Sequence, residues 1–253
     1  MTTQHAFVAQ EYGVRASAYV ASAVHKAGAD LDQVEEIVRG LSTARVLDLG
    51  CGGGHVSYRV APHVAEVVAC DITPAMLDAV AATAAERGLS NIAVRQAAAE
   101  ALPFEAASFD LVLCRFSAHH WQDLEAGLRE ARRILKPGGR AVVIDTVAPA
   151  DCVLDSHLQA IELLRDASHV RNATTAELVS SLSRAGLAVE GVTMRRLRME
   201  FSVWTARTRT PVLHVEAIRS LQDRAPDTVR TYFAIGPDGS FDLDAATLVT
   251  VAA

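Results

Sequence analysis

From Arg45 to Thr146 short apolar runs alternate with helical patterns: RVLDL, EVVAC, NIAVR, FDLVLC and RAVVIDTV mark five strands with helix-forming sequence between them. Strands separated by helices must pair in parallel through right-handed crossovers, which puts helices on both faces of one sheet. The expectation is an α/β, doubly wound, mostly parallel sheet. Between the fourth and fifth strands Leu124, Leu128, Ala131 and Leu135 share one stripe, with Glu125 and Arg129 paired on the exposed side. That helix should stop at Lys136-Pro137-Gly138-Gly139, where proline cannot continue it and the glycines accept positive φ.

The flanks read as additions to this core. Residues 1–40 suggest two helices, around Val14–Lys26 and Leu31–Arg39, and residues 41–150 form the core. Residues 151–253 bring an inserted helix from Asp151 to Arg165, with Leu154, Leu158, Ile161 and Leu164 at helical spacing. A second helix runs from Thr174 to Ala185 under a capping box of Thr174 and Glu177, and stops at Gly186. The apolar positions change phase between Val192 and Val203, which reads as a strand bulged near Arg195 and Arg196. SFDLDAATLVTVAA supplies a last strand at or beside the sheet edge.

At 253 residues one main domain is expected. No apolar run reaches the roughly 18 residues of a membrane span, and MTTQHAFVAQEYG lacks the basic flank and apolar core of a secretion signal. A cytoplasmic protein follows. The net charge of −6 argues against nucleic acid and anionic lipid as partners. Cys51, Cys70, Cys114 and Cys152 form no C-x-x-C pair, so neither a zinc site nor a disulfide framework is expected, and no metal is assigned.

The turn after the first strand, VLDLGCGGGHVS, fails the dinucleotide fingerprint G-x-G-x-x-G in both frames, because His55 and Ser57 stand where the third glycine belongs. Asp48 followed by Gly50, Gly52 and Gly54 puts an acid beside the turn. It would repel a pyrophosphate and suits a ligand carrying an ammonium and a sulfonium.

With VVACDITPAML, AAAEALPFEAASFDLVLC and RFSAHHWQDLEAGLREARRILKPGGRAVVID following in order, the chain resembles the class I S-adenosylmethionine-dependent methyltransferases. Within that family it is similar to the small-molecule branch of the menaquinone-, ubiquinone- and biotin-synthesis type, and LRDASHVR looks like the signature of one subgroup. The resemblance implies a seven-stranded Rossmann-like sheet with an N-terminal helical lid, S-adenosyl-L-methionine as cofactor, and methyl transfer to oxygen, nitrogen or carbon of a small molecule.

It also implies roles for residues. Asp48, Gly50, Cys51, Gly52 and Gly54 would cradle the methionine end, and Asp71, 17 residues beyond Gly54, would take the ribose hydroxyls. Ile72 and Met76 would wall the adenine, and Ala98, Ala99 and Glu100 would meet its edge, although alanine at position 98 replaces an acid common in the family. Arg115 and Phe116 follow the fourth strand at the reaction centre. His120 is the expected general base, with His119 beside it and Tyr12 or Tyr19 as partner; the other reading has the histidines only capping a helix or holding cofactor backbone. Tyr19, Ser22 and His25 share a helical face that would close over the cofactor. Arg165, His169, Arg171, Trp204 and Arg207, with Arg209 and His214, would form a substrate roof able to take a carboxylate or phosphate.

Other chemistries stay open on the residues alone. An isomerase, cyclase or decarboxylase that keeps the cofactor's charge without transferring its methyl group is one; a cofactor-sensing module is another, and a nicotinamide dehydrogenase the weakest.

Overall fold

The computed structural model describes residues 3–13 and 28–253. Its strands are β1 (Arg45–Leu49), β2 (Glu66–Asp71), β3 (Ile92–Gln96), β4 (Phe109–Arg115), β5 (Leu135–Thr146), β6 (Leu187–Met199) and β7 (Phe241–Ala252). They form one sheet in the order β3-β2-β1-β4-β5-β7-β6. The first five run parallel, and β7 inserts antiparallel between β5 and β6. This is the doubly wound, mostly parallel seven-stranded sheet expected from the sequence.

Because side chains alternate across a strand, each strand feeds both faces. Leu47 and Leu49 of β1 join Val112 and Val143 against Leu128, Leu178 and Leu182 on one face. Val46 joins Val67, Leu111 and Leu113 on the other, against Leu31, Val34 and Val56. Covering both faces is what near-continuous apolar strands require.

Among the described residues the helices are α1 (Gln4–Gly13), α2 (Ala29–Val38), α3 (His55–Val60), α4 (Pro74–Glu86), α5 (Leu124–Ile134), α6 (Cys152–Arg165), α7 (Thr175–Arg184), α8 (Phe201–Arg207), α9 (Val212–Asp223) and α10 (Asp227–Tyr232). The capping box forms: the Thr174 hydroxyl accepts from the Glu177 N–H, and the Glu177 carboxylate accepts from the Thr174 N–H. None of these helices is long and apolar enough to cross a membrane.

Helix α5 starts at Asp123, whose carboxylate accepts from the Ala126 N–H at 2.9 Å. Its Gly127 faces the Trp121 ring so closely that an added Cβ would overlap the indole. Trp121 is buried and donates from Nε1 to the Ser117 hydroxyl at 3.2 Å, so it has little freedom to retreat. Gly127→Ala should destabilise the protein by about 1–2 kcal/mol, the overpacking cost less alanine's helix propensity. Urea unfolding measures this, and an unchanged midpoint would contradict it.

Two expectations need correction. The strand placed over Val192–Val203 is β6, Leu187–Met199, and its register shift falls between Val189 and Gly191, not near Arg195 and Arg196. Val192 and Met194 are exposed on this edge strand, so their apolar character carries no facing information. Phe201, Trp204 and Thr205 belong to α8, and their spacing of three and four is the buried stripe of a helix. The helix expected over Val14–Lys26 lies outside the described residues, and α1 precedes it. No α1 residue is fully buried, so it left no apolar stripe to read.

The segment between β5 and β7 builds a separate apolar cluster, with Leu158, Ile161, Phe201, Trp204, Ile218, Phe233 and Phe241 at its centre. It forms a roof over the carboxyl ends of the parallel strands.

Candidate functional site

Strand order reverses at β1, which lies between β2 and β4, and in such sheets the crevice at the carboxyl ends beside that point receives the ligand. A cavity with about 1530 Å³ of empty space, including its open mouth, lies there.

One end is the glycine turn. Gly50, Gly52 and Gly54 have φ of 72°, 48° and 78°, the left-handed region that glycine enters without strain. A Cβ on Gly50 would overlap the Ser117 hydroxyl, and one on Gly54 would press on the Tyr58 ring at 2.7 Å. A Cβ on Gly52 would meet nothing within 4 Å, so this backbone faces open cavity. Gly50, Cys51 and Gly52 line the cavity, whereas Gly54 is outside its lining and serves the turn.

Asp48 is buried beneath the turn, and its Oδ2 accepts from the Ser57 N–H at 3.0 Å and the Ser57 hydroxyl at 2.6 Å. Burial pushes its carboxyl up to about 6, against the pull of the Ser57 bonds and with a further push from nearby Asp71. Asp71 closes β2, accepting from the Gly52 N–H at 2.9 Å and the Thr73 N–H at 2.8 Å. Burial raises its pKa as well, though those backbone bonds hold it back. Ile72, Met76, Ala98 and Ala99 continue the wall. The Glu100 carboxylate also reaches the cavity, but Oε1 accepts from the Gln122 N–H at 2.9 Å and Oε2 lies 3.2 Å from His5.

The residues after β4 form the other end. Arg115 pairs with buried Asp30 and lies over the Phe116 ring, 4.7 Å from its centroid. His119 and His120 both line the cavity, with ring centroids 4.2 Å apart. His119 Nδ1 donates to Asp145 Oδ1 at 2.6 Å. Burial alone would lower the His119 pKa; the Asp145 carboxylate outweighs it and raises it. His120 has Nε2 2.8 Å from the Tyr12 hydroxyl and Nδ1 3.1 Å from the Ser168 carbonyl. Its burial and the neighbouring His119 push its pKa down to about 3. The Tyr12 hydroxyl donates to Asp166 Oδ2 at 3.0 Å.

Helix α1 crosses this cavity and contributes His5, Val8 and Tyr12 to its wall. Gln4 ties it further through a bond from Nε2 to the Ser168 carbonyl at 3.0 Å. Tyr19, Ser22 and His25 lie outside the described residues.

The expected roof cations are dispersed. Arg165, Trp204 and Arg207 line the cavity, together with Leu197 and Met199. Arg165 is held by Glu162 at 3.2 Å and by the Trp204 carbonyl, so a carboxylate of the chain already balances its charge. His169 is buried off the cavity with Nε2 3.1 Å from Gln159 Oε1, and burial pushes its pKa down to about 3. Arg171 pairs with Asp155 and Glu177 away from the cavity, and His214 donates to the Leu164 carbonyl. Arg209 sits outside the cavity lining, at a left-handed φ of 53°. Arg165 and Arg207 thus reach the cavity with Trp204 as expected, whereas His169, Arg171, Arg209 and His214 do not.

Several site residues escaped the sequence reading. Asp145 is the penultimate residue of β5, at the carboxyl end of a parallel strand where such sheets bind their ligands, and its position there was the signal that could have found it. Glu162, Asp166 and Ser168 gave no such signal, since only the packing of the roof brings them over the histidines.

Residues 47–143 match the family model described as a methyltransferase domain. An Escherichia coli protein called uncharacterized protein YafE is 48% identical over 195 residues, 77% of this chain and 94% of that one. The Bacillus subtilis methyltransferase YcgJ, itself uncharacterized, is 34% identical over 88% of each chain, and its crystal structure aligns at a TM-score of 0.84 over 87% of this chain and 97% of that one. A ubiquinone biosynthesis O-methyltransferase of Xylella fastidiosa is 32% identical over 71% of this chain and 73% of its own length. With an acid-flanked glycine turn at the switch point of the sheet, these relationships make the chain a member of the class I S-adenosylmethionine-dependent methyltransferases, with S-adenosyl-L-methionine as its cofactor.

Proposed function

We propose that the chain methylates a small-molecule acceptor bearing an O–H, N–H or acidic C–H group, with a histidine of the 119–120 pair as general base. The observation that carries this is one continuous cavity, with Asp48, the glycine turn and Asp71 at one end and His119, His120 and Tyr12 at the other.

The residues fit the cofactor. The open backbone at Gly52 leaves space beside Asp71, where a Cβ would meet nothing within 4 Å. Asp71 would hold the ribose hydroxyls, Asp48 would answer the ammonium group through the turn, and Ile72, Met76, Ala98 and Ala99 would enclose the adenine. When bound, S-adenosylmethionine supplies a methyl carbon already made electrophilic by its sulfonium. The protein's remaining work is to orient the acceptor, exclude water and take a proton, and orientation alone is worth about 7–11 kcal/mol. Phe116, Leu197, Met199 and Trp204 give that end an apolar wall. With Arg165 balanced by Glu162 and Arg171 turned away, we read the acceptor as uncharged. Scattered free cysteines agree with a reducing, cytoplasmic setting.

Calorimetric titration with S-adenosylmethionine and with a nicotinamide dinucleotide tests the cofactor half; only the first should bind. Isotope-labelled methyl transfer across phenols, amines and carboxylates tests the acceptor half. Demethylated cofactor should accumulate only when an acceptor is present, and its steady release without one defeats the proposal.

A further inference from the structure

We propose that His119 and Asp145 form the acid–base unit of this site and that His120 is a positioning residue that holds Tyr12 over the cavity. The inference rests on the methyl-transfer reading above and deepens it.

A carboxylate can only accept, so the 2.6 Å contact with Asp145 Oδ1 puts the His119 hydrogen on Nδ1 and the lone pair on Nε2. Asp145 Oδ2 also accepts from the His119 backbone N–H at 3.2 Å, so one buried carboxylate fixes both the ring and the chain that carries it. The His119 carbonyl is pinned in turn by the Val170 N–H at 2.9 Å. Among the described residues His119 Nε2 has no hydrogen-bond partner, and His119 lines the cavity. An oriented imidazole with its second nitrogen uncommitted is the arrangement a general base requires.

His120 lacks that free nitrogen. The Ser168 carbonyl at 3.1 Å can only accept, which places its hydrogen on Nδ1, and the Tyr12 hydroxyl at 2.8 Å occupies Nε2. An acceptor would have to displace Tyr12 to reach it.

In the step itself the acceptor's X–H bond breaks with its electron pair kept on X, and that pair forms the bond to the methyl carbon while the C–S pair stays with sulfur. The proton goes to His119 Nε2, and the resulting imidazolium keeps its Nδ1–H on Asp145. The charges facing His119 agree with this: Asp145 from β5 and Glu162 from α6 favour its protonation, and Arg165 opposes it. His120 and His169 stand next to it, and Arg171 borders the crevice behind it.

The test uses the full chain without cofactor, by residue-resolved ¹⁵N NMR titration of the imidazoles. His119 should titrate above the ordinary value of about 6.5 and fall below it in Asp145→Asn, while His120 stays neutral through the range. Diethyl pyrocarbonate gives a second readout that needs no substitution. At mildly alkaline pH it should modify His119 about tenfold faster than His120, the factor for freeing one hydrogen-bonded nitrogen. Tyr12→Phe should raise the His120 rate and leave that of His119 unchanged. Faster modification of His120 in the unaltered protein, or a His119 titration indifferent to Asp145→Asn, overturns the dyad. Calorimetry with S-adenosylhomocysteine separates the two levels: intact binding beside a failed titration defeats the dyad alone, and absent binding defeats the reading of the site.

Discussion

Asp71→Ala should weaken binding of S-adenosylhomocysteine by roughly 10²–10⁴-fold. A carboxylate accepting two hydroxyl hydrogen bonds gains about 1.5–3 kcal/mol from each, and roughly 3–6 kcal/mol in total converts to that range. Asp71 is suited to the task because the Gly52 and Thr73 N–H groups hold its two oxygens in place without exhausting their lone pairs. Those same bonds mean that alanine also loosens the turn. Asp71→Asn is therefore the companion variant: it keeps one acceptor oxygen and should fall between the wild type and alanine. Calorimetry on folded protein checks the order, and affinities within about threefold of the wild type for both variants would remove Asp71 from the ribose site.

Asp48→Asn should act in opposite directions on stability and on binding. Burial lifts the Asp48 carboxyl from 3.8 to about 6, so the folded state prefers it protonated. A raised folded pKa contributes stability that is fully present below the unfolded value and is lost as pH rises through the folded one. The empty protein at pH 8 thus carries a penalty of about 3 kcal/mol, and roughly half of it at pH 5. Asparagine keeps an oxygen for Ser57 and removes the charge, so urea unfolding should show a gain of about 2–3 kcal/mol at pH 8 and a smaller one at pH 5. The cofactor's ammonium answers the ionised form, so Asp48→Asn should bind it more weakly. A variant that is both no more stable and equally tight would show that Asp48 serves only the turn.

Much of this was legible because strand periodicity and the glycine turn are local signals. The five parallel strands came from apolar runs, and Asp71 from its distance beyond Gly54. Both rest on backbone rules that hold before any tertiary contact forms. The roof was harder. Phe201, Trp204 and Thr205 carried a helical period, but the exposed Val192 and Met194 extended a strand pattern across them. The cation cluster came together only in part, Arg165 and Arg207 at the cavity and Arg171 and His169 off it, because likeness of charge says nothing about distance. Glu162 and Glu177 took up two of its members, Arg165 and Arg171, on separate surfaces. The histidine pair was visible as a pair, yet its division of labour depends on Asp145, Ser168 and Tyr12, which arrive from three other segments.

Helix α1 is fastened at Glu100 by His5 and at His120 by Tyr12, positions at opposite ends of one chamber. One short helical segment thereby borders both compartments at once, so a substitution that loosened its hold on either wall would alter the surroundings of the nucleoside and of the acceptor together.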